Sequence, residues 1–128
     1  MVIELSLLQS IAIITMNISI KNNIATSISH MHISNYPLIK TCHYAAFITS
    51  SEAELFAIRC GINQILSKEN ISKIIVITNS IYVAKKIFNP SSYILQIHAV
   101  AILKELHLFF SRESNNSIEF WESPSCLN

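Results

Sequence analysis

Glycine is nearly missing from this chain, with one residue in 128. A single glycine cannot write GxxxxGK[ST] or GxGxxG, so both phosphate-cradling backbone motifs are excluded. Tight turns must be made by Asn, Ser and Pro instead. Charge is scarce too: charged residues are 13% of the chain and hydrophobic ones 51%, against the usual quarter for charge. That balance excludes a disordered chain and favours an interior-rich α/β domain over a solvated helical bundle. The net charge is +1, and the nine Lys and Arg are scattered from Lys21 to Arg112. No basic block marks a nucleic-acid partner. The three cysteines, Cys42, Cys60 and Cys126, are far apart, odd in number and without a CxxC. This argues against a disulfide framework or a zinc site, and for reduced thiols in an intracellular compartment.

No composition shift, Gly/Ser linker or internal repeat divides the chain, and its length suits one domain. The apolar start, "MVIELSLLQSIAIITM", lacks a positive n-region and is interrupted by Glu4, Ser6, Gln9 and Ser10. It is also shorter than the ~20 apolar residues of a membrane span. The expectation is a lead-in over residues 1–10 and one domain over 11–128. The protein should carry no targeting signal, make no membrane contact, and reside in the cytoplasm or nucleus.

From Ser10 to Phe47 the pattern is strand-like. "IAIITMNISI", "NIATSISHMHI" and "PLIKTCHYAAFI" are separated by Lys21-Asn22-Asn23 and Ser34-Asn35-Tyr36-Pro37, short enough for hairpins. They predict an antiparallel meander. The period then changes in "TSSEAELFAIRCGINQIL", where Thr49 and Glu52 have capping-box spacing ahead of a helix running to about Leu66. "SKIIVIT" is a continuous apolar run of strand length. "SIYVAKKIF" reads as a short helix stopped at "NPSS", "ILQIHAVAILKELHLFF" as a longer one, and Ser117 to Trp121 as a last strand. The order β-β-β-α-β-α-α-β, with right-handed crossovers, predicts a mixed sheet covered by helices in strand order 3-2-1-4-5.

Four stretches carry a family resemblance: "NISIKNNIATSISH", "SSEAELFAIRCGINQ", "IIVITNS" and "NNSIEFWESPS". With them the chain resembles ribonuclease H-like domains of type 1, more closely those ending retroelement (retrotransposon) polyproteins, particularly fungal ones. The resemblance covers about Ile11 to Ser125. "AELFAIRCGINQ" followed by "KIIVITNS" is specific as a pair, and either alone is weak. It implies a five-stranded mixed sheet flanked by helices, a hydrolase family acting on RNA–DNA hybrids, and Mg²⁺ as its cofactor. In that family four carboxylates hold two divalent metals, which activate water and stabilise the leaving oxygen.

Carried across, the helix glutamate matches Glu54. The first-strand aspartate matches Asn17, aligned through Ser19, and the fourth-strand aspartate matches Asn79. The chain ends at Asn128, before the segment that would supply the last aspartate and its C-terminal helix. Asn keeps the shape of Asp but not its charge, and a hard cation is held by anionic oxygen. The expectation is a degenerate site, Glu54 alone retained and no metal bound, in which Asn17, Glu54 and Asn79 converge. Ser19, Asn22, Asn23 and Ser80 would border a duplex, where Ser and Asn read 2′-hydroxyls.

Other features have plainer explanations. Glu54 also suits a helix start electrostatically, and Lys85-Lys86 suit a helix end. His30 and His32 share one strand face but lack a third ligand. His98 and His107, nine apart, read as one helix surface. Three functions follow: a ribonuclease H-like remnant without cleavage, an active hybrid endonuclease, or an interaction domain that kept only the fold. The low charge limits nucleic-acid affinity. Apolar surface near the fourth and fifth strands is expected to stay uncovered, favouring self-association.

Overall fold

The computed structural model describes residues 11–22, 24–33, 39–46, 50–68, 71–78, 81–89 and 93–123. Three strands come first: β1 (Ile11–Lys21), β2 (Ile24–Ile33) and β3 (Ile39–Ala46). β1 pairs antiparallel with β2, and β2 with β3. The first reversal turns on Asn22, whose φ is +53°, a left-handed conformation that Asn tolerates better than most residues. Helix α1 (Ser50–Leu66) leads to β4 (Lys73–Thr78), which lies parallel to β1. A short helix α2 (Ile81–Lys85) and a long helix α3 (Tyr93–Arg112) then lead to β5 (Ser117–Glu122), parallel to β4. The sheet order is β3-β2-β1-β4-β5.

Strand side chains alternate between faces, and the burial follows that parity. Ala12, Ile14 and Met16 of β1 are buried with their partners Ile33, Met31 and Ser29 of β2. Ile74, Val76 and Thr78 of β4 share that face. Helix α1 covers it with Leu55, Ile58, Ile62 and Ile65, none of them exposed. The lone glycine is explained here. A Cβ at Gly61 would lie 3.0 Å from Ile14 Cγ2, so its absence lets the helix approach β1 closely.

Helix α3 packs on α1 through Ile102, Leu106 and Phe109, all buried. Its carboxyl end is tied down by polar contacts. Arg112 Nη2 donates to the Leu66 carbonyl at 2.8 Å, and Asn116 Nδ2 to the Phe109 carbonyl at 2.7 Å. These satisfy helix-end carbonyls that lack an intrahelical partner.

The bare apolar surface expected near β4 and β5 is found at the β5 edge. On the inner strand β4, Ile75 is only 6% exposed. At the β5 edge, Trp121 is half exposed, and exposed Phe88 meets Phe120 edge-on at 6.3 Å. Among the described residues the larger exposed apolar set lies on α3: Ile97, Val100, Leu103, Leu108 and Phe110. No described helix is long and apolar enough to cross a membrane.

Candidate active site

The fold fixes where α1 begins. It runs antiparallel to β1 and β4, so its first turns stand over the carboxyl ends of those strands. Gly61 lies against Ile14. Two helical turns back toward the N-terminus is about 10 Å, or three residues of strand. Glu54 therefore stands level with Met16 to Ile18, and it is buried, 6% exposed. The other buried polar side chains among the described residues are Ser27, Ser29 and Thr78. By register and parity all three share this face, Ser27 opposite Ile18 and Ser29 opposite Met16. Ser29 Oγ donates to the Ala57 carbonyl of α1 at 2.7 Å, joining helix to sheet one turn below Glu54.

The rim of this region is closed by β5. The Ser123 amide donates to the Thr78 carbonyl at 2.8 Å. The Ile81 amide, first in α2, donates to Glu122 Oε2 at 3.4 Å. A carboxylate there complements the unpaired amides at the start of a helix.

Asn17 does not join this cluster. Its side chain is exposed, and it alternates with Met16, whose buried side chain takes the α1-facing position. The expected convergence of Asn17 with Glu54 is therefore corrected: period-2 alternation sends them to opposite sides of the sheet. On β1, Met16 and Ile18 face Glu54. Asn79, Ser80 and Asn23 lie outside the described residues, as does Thr49 of the expected capping box. Ser19 and Asn22 are exposed at the β1–β2 hairpin.

Among the described residues, no three His, Cys, Asp or Glu side chains come close enough to share a metal ion. The full sequence contains no aspartate, and all eight acids are glutamates. The described residues bring together no set of anionic oxygens that fits a pair of hard divalent cations.

The histidines sort differently from expectation. His98 and His107 are nine residues apart, two and a half helical turns, so they lie on opposite sides of α3. His107 is exposed, whereas His98 is partly buried against α1. Its Nε2 is 3.6 Å from Glu52 Oε2, Arg59 Nη1 donates to its Nδ1 at 3.4 Å, and its ring stacks on Phe56. Glu52 thus reaches α3. Burial and the Arg59 charge hold the His98 pKa down, against the opposing pull of Glu52. Beside this contact an open groove of about 800 Å³ runs between α1 and α3, lined in part by Arg59, Cys60, Ile97 and Lys104. Burial pushes the Cys60 thiol pKa up, with Arg59 opposing. His30 is half-buried and His32 exposed, on the β2 face turned away from α1. Lys85 is exposed and Lys86 partly so.

No family model and no curated protein matches the sequence. Solved structures do match. The N-terminal RNase H domain of Rv2228c from Mycobacterium tuberculosis superposes with a TM-score of 0.72 at 14% identity, covering 92% of this chain and 85% of that one. The fold is ribonuclease H-like. RNase H1 of the halophilic archaeon Halobacterium salinarum NRC-1 gives a TM-score of 0.68 at 11% identity, over 91% of this chain and 88% of its own. LC11-RNase H1 in complex with an RNA/DNA hybrid gives 0.69 at 14% identity, over 91% and 88%. Identities this low establish the RNase H-like fold and leave the chemistry to the residues.

Proposed function

We propose that this chain is a ribonuclease H type 1 domain of retroelement origin that has lost metal-dependent cleavage of RNA–DNA hybrids. The domain spans residues 11–128, behind a lead-in of residues 1–10. One observation carries the reading. At the carboxyl rim of the covered face, Glu54 is the one buried carboxylate among the described residues, and it stands level with Met16 in a chain without aspartate. Glu54 and Asn79 remain the positions of two family carboxylates. For the third we take Met16 in place of Asn17, a choice supported by the buried, α1-facing side chain of Met16 and the exposed one of Asn17. A single carboxylate does not neutralise two divalent cations, so no Mg²⁺ pair is held and no cleavage step runs through one.

Nucleic acid remains the partner this reading favours. A neighbour of the same fold is a complex with an RNA/DNA hybrid, and Ser19 and Asn22 are exposed on the hairpin. The net charge of +1 limits the phosphate term that supplies most non-specific affinity, so binding is weak and falls steeply with salt. The protein acts inside the cell, in cytoplasm or nucleus. An interaction domain that keeps only the fold is the second reading, favoured by the exposed apolar residues of α3.

The test is hybrid cleavage and hybrid binding on the same preparation. With Mg²⁺ or Mn²⁺ the protein should cut no faster than its Glu54→Gln variant, while retaining salt-sensitive binding to a fluorescent hybrid. Metal-dependent cleavage that vanishes in Glu54→Gln would establish an active endonuclease. Absence of both cleavage and binding would leave the interaction domain.

A further inference from the structure

The contact around His98 does more than pack two helices. Arg can only donate hydrogen bonds, so the contact at 3.4 Å requires His98 Nδ1 to be bare. In the neutral ring the proton then sits on Nε2, which faces Glu52 at 3.6 Å. The ring lies on Phe56 with centroids 5.3 Å apart and planes 26° apart. One imidazole therefore holds three α1 side chains, and its fit to Arg59 depends on its being neutral. A second proton would enter at Nδ1, pointing at a guanidinium that can no longer donate there. The charged groups facing His98 are Glu52 and Arg59 of α1. On α3 itself the nearest described charges are Lys104 and Glu105, nearly two turns on.

Among the described side chains, the two halves of α3 are held by different means. In the carboxyl half, Ile102, Leu106 and Phe109 are buried, and Arg112 and Asn116 bond to carbonyl groups. No histidine takes part in these contacts. Among described residues 96–101, by contrast, Ala99 is the one fully buried apolar side chain, and His98 supplies the specific contacts.

We propose that Glu52, Phe56, Arg59 and His98 form a proton-sensitive clasp, which holds the amino half of α3 to α1 and loosens when His98 is protonated. Loosening widens the α1–α3 groove and leaves the Arg59 guanidinium free within it. The carboxyl half stays docked. The sign follows from linkage. A histidine whose folded pKa is depressed stabilises the fold fully above its unfolded value of about 6.5, and that contribution is lost as pH falls from there toward the folded pKa.

The experiment is a pH titration by NMR of the whole chain, following the His98 ring and the backbone amides. The His98 midpoint should fall below the ordinary histidine value, with amides of residues 52–60 and 96–101 moving at the same midpoint while those of 106–112 stay still. His98→Gln, neutral at every pH, should abolish that local step. Arg59→Gln should raise the His98 midpoint, since it removes a like charge. A midpoint at or above the ordinary value would overturn the clasp. So would a step that survives His98→Gln, or changes spread evenly along α3. Should His98→Gln fail to fold, an unchanged midpoint in Arg59→Gln would overturn it equally.

Discussion

Two regions of the same sheet face obey different rules. In its middle, Ala12, Ile14, Val76, Ile58 and Ile62 are wholly buried around a glycine that lets α1 close onto β1. At its carboxyl rim the buried set turns polar, with Ser27, Ser29, Glu54 and Thr78. The middle fixes the fold, because any apolar set of the right volume and parity packs. The rim is where a sheet of this topology presents its chemistry, and there residue type matters more than volume. A change of residue type at the rim leaves the middle untouched. Under the function proposed above, fold likeness and catalytic capacity part company within three strand residues.

The largest effect should come from the interior. Phe109→Ala removes a wholly buried ring from the α1–α3 layer and should cost about 3–5 kcal/mol by denaturant unfolding. At the rim, Ser29→Ala removes one bond to Ala57 and should cost only about 1 kcal/mol. Equal losses would erase the distinction between the two regions.

The second test sharpens the rim itself. Met16→Asp places a carboxylate on the α1-facing side, level with Glu54, and without metal should destabilise by about 3 kcal/mol as an unpaired buried charge. Combined with Asn79→Asp, it should make the melting midpoint rise with added Mg²⁺. The pair Asn17→Asp and Asn79→Asp should show no such rise, because Asn17 is exposed on the other face. A Mg²⁺ response in the Asn17 pair alone would mean that β1 loses its alternation near the rim.

Gly61→Ala probes the close approach in the middle. Alanine gains about 1 kcal/mol in helix propensity. Its Cβ would meet Ile14 Cγ2 at 3.0 Å, and overpacking a wholly buried side chain costs about 1–3 kcal/mol. The clash wins, so the variant should be modestly less stable, and adding Ile14→Val should recover most of the loss. Stabilisation by Gly61→Ala alone would show that Ile14 yields freely.

Much of the fold was legible because its signals are local. The Asn-rich reversal after Lys21, the change of period at Ser50 and the apolar run "KIIVIT" mark elements within a residue or two of those observed. The burial of Glu54 was legible from the family resemblance of its "AEL" setting. The facing of β1 was not. "IAIITMNISI" is apolar at both parities, Ile11 and Ile13 as much as Ala12 and Ile14, so the pattern could not say which set goes beneath α1. An alignment by residue type then chose Asn17, whereas parity puts Met16 beneath α1. The exposed apolar residues of α3 were equally opaque, since Ile97, Val100 and Leu103 resemble core residues until α1 is seen to pack on Ile102, Leu106 and Phe109 instead. His98 escaped because its partners, Glu52 and Arg59, lie 39 or more residues away.

The smallest effect belongs to the face turned away from both regions. Lys73 Nζ and Glu119 Oε2 are 2.7 Å apart, and Trp121 Nε1 donates to Glu119 Oε1 at 2.9 Å, all on exposed surface. The Lys73 contact, then the Trp121 bond, hold the Glu119 pKa below its ordinary value. A depressed carboxylate stabilises above its unfolded pKa, and that contribution disappears as pH falls through the folded one. Exposed ion pairs contribute little and are screened by salt, so Glu119→Gln should leave the neutral-pH melt nearly unchanged. The titration itself should still be visible. Trp121 is the one tryptophan in the chain, and its indole is bonded to the titrating group. Its fluorescence should step at a pH below the ordinary glutamate value, move upward with added salt, and lose the step in Glu119→Gln. A step that ignores both salt and the substitution would trace to unfolding, and would show the outer face to be coupled to the core rather than separate from it.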